Sequence, residues 1–189
     1  ITMNEHPFLF GQKHCGKTTL GGIVAERLGI PFLDLDNLIV ELANLDHGPH
    51  AADARTVYLR HGAVGFRDYE ARAAETLAER LAWAPRSTVC SLGGGTVRND
   101  RAYRALEPHG LFVYLCVDVD ELYRRIRRTG RPAFLRSEDP EAEFRRIAAE
   151  RDGVYRTRAD VVCDLDALSL TDAADRLEER LREHGFGGK

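Results

Sequence analysis

The sequence predicts an α/β fold, a three-layer sandwich with a central parallel five-stranded sheet. Three observations predict it. Residues 11–19, Gly-Gln-Lys-His-Cys-Gly-Lys-Thr-Thr, match G-x-x-x-x-G-K-[ST] between an apolar run at 7–10 and a helical pattern over 20–28, the context that motif requires. Extended and helical patterns alternate along the chain, which implies parallel strands joined by right-handed crossovers. Residues 111–117, Leu-Phe-Val-Tyr-Leu-Cys-Val, are continuously apolar, as in a parallel strand buried on both faces.

Residues 8–10 form the first, short, buried strand. The helix after the glycine-containing loop covers about 18–28 and stops at Gly29, a residue that tolerates the left-handed stop conformation. Residues 30–36, Ile-Pro-Phe-Leu-Asp-Leu-Asp, read as an extended piece ending in Asp34 and Asp36, which share a face in a strand and can both turn inward at its end. Helical spacing over 37–45 is broken by His47-Gly48-Pro49-His50, and a second helical stretch over 52–60 precedes His61-Gly62. A long helix opens at Phe66 and runs to about 84, where Pro85 closes it. Residues 37–84 are therefore a helical insertion between strands; such segments commonly hold a second substrate, although packing alone also accounts for them.

Residues 87–92 are a strand of small and β-branched side chains followed by Gly93-Gly94-Gly95, where the backbone leaves room for a ligand. A helix over 121–128 follows the strand at 111–117. The last strand covers 159–165, and residues 171–184, with Leu177 and Leu181 four apart, form a closing amphipathic helix. Between 129 and 140 runs a polar loop containing Arg131 and Arg136, which is either a solvated connection or a lid over about 130–139.

A chain of 189 residues suits one domain, 1–189, with a substantial core. Its net charge of −3 gives no reason to expect nucleic acid, so anionic ligands must be held locally. Lysine occurs only at 13, 17 and 189, so the remaining basic side chains are arginines and no arginine is informative by charge alone. Cys15, Cys90, Cys116 and Cys163 form no C-x-x-C pair, which argues against a zinc site or disulfide framework and for a reducing cytoplasm. No apolar run approaches the ~18 residues of a membrane span, and no charged-then-apolar leader pattern opens the chain.

In the 11–19 loop, the glycines let successive backbone N–H groups point inward, and the following helix adds its positive end. The hollow suits a triphosphate such as ATP, lined by Gly11, His14, Cys15, Gly16 and Thr19. Lys17 would reach the β- and γ-phosphates, and the Thr18 hydroxyl would take a position on Mg²⁺. In an open parallel sheet, ligands sit at the carboxyl ends of the strands, where residues 11–18, Asp34, Asp36 and Gly93–Gly95 converge by topology. Cys15 is either a thiol activated by the helix N-terminus or a small residue filling a tight loop.

These features, with Phe66-Arg67-x-x-Glu70, Arg131-Pro132 and Glu150-Arg151-x-x-x-Tyr155-x-x-x-Ala159-Asp160, resemble the shikimate kinase family over nearly the whole chain. The resemblance implies a P-loop nucleoside-triphosphate-hydrolase-like kinase fold, ATP and Mg²⁺, a monomer, and phosphoryl transfer to the 3-hydroxyl of shikimate in aromatic amino-acid biosynthesis. It implies that Arg67 and Arg151 hold the carboxylate of this small polyhydroxylated acceptor, with planar paired donors. Asp36 would orient or deprotonate the attacking hydroxyl, and the Gly93–Gly95 backbone would contact the substrate closely. Asp34 would hold Mg²⁺ with Thr18, through water. Arg131 matches the lid arginine that approaches the transferring phosphoryl group beside Lys17, and Arg124 matches by spacing an arginine that stacks on adenine.

The chain also departs from the family pattern. His14 stands where glycine is usual, so either the backbone there is ordinary or His14 bears left-handed strain. Ala63 stands where glutamate is usual, Arg-Pro-Ala-Phe replaces Arg-Pro-Leu-Leu at 131–134, and the segment 47–53 is longer. Two other readings stay open on the residues alone: a gluconate-type sugar-acid kinase, and a nucleotide-binding relative without shikimate turnover. A GTPase is disfavoured, because no lysine follows an asparagine as the guanine-reading Asn-Lys-x-Asp motif demands.

Overall fold

The computed structural model describes residues 5–129 and 138–187. The strands are β1 (His6–Phe10), β2 (Phe32–Asp34), β3 (Val89–Ser91), β4 (Gly110–Cys116) and β5 (Val161–Asp164). They form one sheet in the order β2-β3-β1-β4-β5. Every pairing is parallel, with Phe8 opposite both Cys90 and Phe112. The helices are α1 (Lys17–Leu28), α2 (Leu35–His47), α3 (Ala54–Ala82), α4 (Asp100–Leu106), α5 (Val119–Thr129), α6 (Pro140–Arg158) and α7 (Leu170–Glu183).

The period of two along a strand separates the core into two layers. Leu9, Val113, Leu115 and Cys163 pack with Leu20 and Val24 of α1 and Leu177 and Leu181 of α7. Phe8, Phe10, Phe112 and Tyr114 face the other way, against Leu38 of α2, Leu77 and Leu81 of α3 and Leu106 of α4. This gives the expected three layers. Asp160 ties the last crossover to the sheet: its Oδ2 accepts from the Phe112 N–H at 2.8 Å. Among the described residues, no helix is long and apolar enough to cross a membrane.

Some boundaries differ from those expected, each for a local reason. The extended piece ends at Asp34 rather than Asp36, because Asp34 caps α2 and its Oδ1 accepts from the Asp36 N–H at 3.0 Å. Asp36 therefore sits on the first turn of a helix. The two helical stretches 52–60 and 66–84 are halves of α3, interrupted where expected, at Gly62 (φ 69°, ψ −176°). Helix α4 has no counterpart among the expectations: its buried positions, Ala102 and Leu106, are too few to show a helical period.

Candidate active site

The glycine-containing loop leaves β1 at its carboxyl end and closes onto α1. Gly11 has φ 157°, and a Cβ there would stand 2.7 Å from the Leu115 carbonyl and 2.9 Å from Cys15 Sγ, so a side chain is excluded. The Gln12 amide donates to the Ala148 carbonyl at 2.9 Å and anchors the loop to α6. The Lys17 ammonium lies over the loop, donating to the carbonyls of Gln12 at 3.2 Å and Gly11 at 3.3 Å.

His14 does adopt the left-handed conformation, φ 67°, so of the two alternatives the strained one holds. Its carbonyl accepts from Arg125 Nη1 at 3.0 Å. Burial lowers the imidazole pKa, and the charges of Lys13, Lys17 and Arg125 lower it further. Left-handed backbone costs a non-glycine residue about 1–2 kcal/mol, less the extra unfolded-state entropy of a glycine. His14→Gly is therefore expected to raise Tm by a few degrees in a thermal melt. An unchanged or lower Tm would show that contacts of the imidazole already offset the strain.

At the end of β2, the Thr18 hydroxyl donates to Asp34 Oδ2 at 2.7 Å, with Ser91 Oγ 3.5 Å away. A hydroxyl and a carboxylate side by side are hard oxygen donors of the kind Mg²⁺ accepts alongside phosphate oxygens and water. The residues present thus fit the ion. Asp36 opens into the neighbouring cavity, where surrounding protein raises its pKa above 3.8 and the Asp34 charge adds to that; Lys17 and Lys13 oppose it.

Gly93–Gly95 follow β3 and are held from two sides. Glu70 on α3 is 2% exposed. It accepts from the Thr96 hydroxyl at 2.9 Å and the Asn99 amide at 3.1 Å. Burial raises its pKa, while those two hydrogen bonds and the charge of Arg67 hold it down. From α6, the Tyr155 hydroxyl donates to the Gly94 carbonyl, while its ring meets Phe10 edge-on at 5.5 Å. A Cβ on Gly94 would stand 3.1 Å from the Gly11 carbonyl, so the bareness of Gly94 lets the second glycine turn approach the first.

A cavity of about 650 Å³ joins these parts. His14, Gly16, Lys17, Thr18 and Thr19 of the glycine-containing loop and α1 line it together with Asp36, Arg67, Gly93, Gly94, Gly95 and Arg151. Of the expected site residues that are described, Gly11, Cys15, Asp34 and Arg124 are not among those lining the cavity. Cys15 is 1% exposed and packs into the core with Leu9 and Leu115, and its Sγ accepts from the Lys17 ammonium at 3.8 Å. Arg124 is on the surface, 64% exposed and 2.7 Å from Glu121. Its neighbour Arg125 reaches the loop instead, because the turn of α5 directs 125 inward. Arg131, with residues 130–137 of the expected lid at 130–139, lies outside the described residues.

The cavity also contains residues to which the sequence reading assigned no role: Lys13, Arg55, Tyr58, Glu70, Ser91 and Arg98. Burial and the nearby Arg55 lower the Lys13 pKa, against the pull of Asp36 and Asp53. Glu70 was legible only as the last residue of the Phe66-Arg67-x-x-Glu70 motif, three residues along a helix from Arg67. Nothing in the spacing marked Arg98 apart from the many other arginines.

A family model described as shikimate kinase matches residues 13–182. The chain is similar to the shikimate kinase of Stenotrophomonas maltophilia, 34% identical over 182 residues that cover 95% of this chain and 94% of that one. It is similar to the shikimate kinase of Symbiobacterium thermophilum, 35% identical over 182 residues that cover 95% and 98%. Among solved structures, it is similar to a shikimate kinase from Acinetobacter baumannii in complex with shikimate. That likeness has a TM-score of 0.78 at 27% identity and covers 96% of this chain and 95% of the other.

Proposed function

The chain belongs to the shikimate kinase family, and from that premise we propose how its residues divide the work of moving the γ-phosphoryl group of ATP to the 3-hydroxyl of shikimate. The enzyme is an ATP-dependent kinase of the aromatic amino-acid pathway. The observation that carries the residue roles is a single cavity lined by Lys17, Asp36, Arg67 and Arg151, which come from four separate segments.

Phosphoryl transfer asks for alignment and charge stabilisation. Lys17 takes charge from the β- and γ-phosphates. Asp36 receives the hydroxyl proton as the acceptor oxygen bonds to phosphorus and the bond to the ADP oxygen breaks. Arg67 and Arg151 hold the acceptor's carboxylate, and the Gly93–Gly95 backbone presses on its ring. Thr18 and Asp34 would hold Mg²⁺, which when bound would supply neutralisation of the phosphate charge. Arg131 is the arginine expected to act with them on the transferring group, and the helices at 37–84 seat the acceptor. One kinase domain acts as a monomer in the cytoplasm, a compartment that suits four free cysteines.

A coupled ADP-release assay with shikimate, gluconate and nucleoside monophosphates tests the reading, and turnover confined to shikimate is the expected result. Preferred turnover of either rival would overturn it. Within that assay, Arg67→Lys replaces a planar fork by a point charge. It is expected to raise the shikimate KM about tenfold with kcat little changed.

A further inference from the structure

We propose that Arg98 is a third guanidinium of the acceptor site, binding the acceptor's carboxylate together with Arg67 and Arg151; this rests on the shikimate reading above. Arg98 ends the short turn Thr96–Arg98 that follows the glycine turn directly, and its N–H donates to the Gly95 carbonyl at 2.9 Å. The turn is built to stay in place. The buried Glu70 carboxylate holds the side chains of Thr96 and Asn99, the residues on either side of the segment that carries Arg98. The Asn99 amide also donates to the Arg67 carbonyl at 2.8 Å, so the backbones that carry Arg67 and Arg98 are joined through one side chain.

The charges point the same way. Arg98 lines the cavity with Arg67 and Arg151 and makes no ion pair with any described residue. Arg101, three residues on, pairs with Glu75 at 2.7 Å and Asp68 at 3.0 Å, so carboxylates are available to arginines in this region outside the cavity. Arg151 Nη1 lies 3.9 Å from where a Cβ on Gly94 would stand, so that guanidinium sits against the same glycine turn whose Gly95 carbonyl accepts from the Arg98 N–H. Of the two carboxylates beside Gly93, Glu70 already accepts from Thr96 and Asn99, and Asp36 is the one assigned above to the attacking hydroxyl. Three guanidinium groups lining one cavity make a receptor for an anion, and shikimate offers one carboxylate.

The test compares shikimate with its neutral carboxamide at saturating MgATP, in the wild type, Arg98→Gln and Arg98→Lys. Losing a hydrogen bond to a charged group should raise the shikimate KM of Arg98→Gln about ten- to a hundredfold, with kcat within about threefold and the ATP KM unchanged. The kcat/KM for the carboxamide should hardly move, so the preference for the charged acceptor collapses by the same factor. Arg98→Lys should recover part of it. Equal losses for both acceptors, or no loss, in variants of a wild type that does turn over shikimate would overturn the role of Arg98 alone. A wild type inactive on shikimate would instead overturn the acceptor reading, and this proposal with it.

Discussion

Lys17→Met is expected to lower kcat about a thousandfold, the scale of removing one preorganised charge that stabilises a transition state. Methionine keeps the length and apolar stem of lysine and removes only the charged head. That head is already aimed at the loop, within 3.3 Å of the Gly11 and Gln12 carbonyls, so little reorientation separates it from a phosphate at the same place. The loop itself is fixed by Gly11 and by the Gln12 bond to Ala148, neither of which the substitution touches. Tm should therefore change little while turnover collapses. A kcat within tenfold of the wild type, with Tm preserved, would remove Lys17 from the chemistry.

Asp36→Asn is expected to lower kcat by about 10²–10⁴, because an amide can accept the substrate hydroxyl's hydrogen bond but not its proton. The pH dependence carries the sharper signature. The folded-state pKa of Asp36 lies above 3.8, chiefly through burial and then through Asp34. A base must be ionised to act, so wild-type kcat/KM should fall as pH drops through that raised value, earlier than an ordinary aspartate would allow. The asparagine variant should lack this limb.

The same shift makes a claim on stability. A raised folded-state pKa means that folding takes up a proton, so stability from this group is full below the unfolded value and declines as pH rises through the folded one. At neutral pH the ionised Asp36 is a net cost. Asp36→Asn should accordingly raise the Tm of the metal-free protein at pH 8 and raise it less at pH 4. A lower Tm at pH 8 would mean that Asp36 is stabilised by its cations rather than strained by its surroundings.

Much of the site was legible because its pieces are local. The loop at 11–19, the Asp34/Asp36 pair and the three glycines are short contiguous signals, and each follows a strand that could be read from its own apolar run. The strand ends then bring them together without any knowledge of side-chain contacts. The roles of the two aspartates were less legible. Asp34 caps α2 and meets Thr18, which shortens β2 and turns Asp36 onto a helix beside the cavity, and an N-cap choice of that kind depends on where the chain is heading next.

Arginines and cysteines were the hardest to read. Arg124 and Arg125 are adjacent, both contact Glu121, and differ only in that one of them also reaches the P-loop. Cys15 occupies a loop position that favours a reactive thiol, yet its side chain turns into the core against Gly11 and Leu115.

By itself the sequence determined the parallel α/β sheet, the phosphate cradle and the order of the strand ends, because backbone direction in a glycine turn and burial of an apolar run follow from residues within a few positions of each other. Only the tertiary structure decided which long side chains share the cavity. Arg67, Arg98 and Arg151 are brought together by α3, the turn held by Glu70, and α6. Whether a guanidinium is spent on a neighbouring carboxylate or left for a ligand depends on what packs within about 4 Å of it, a distance that spacing along the chain does not encode.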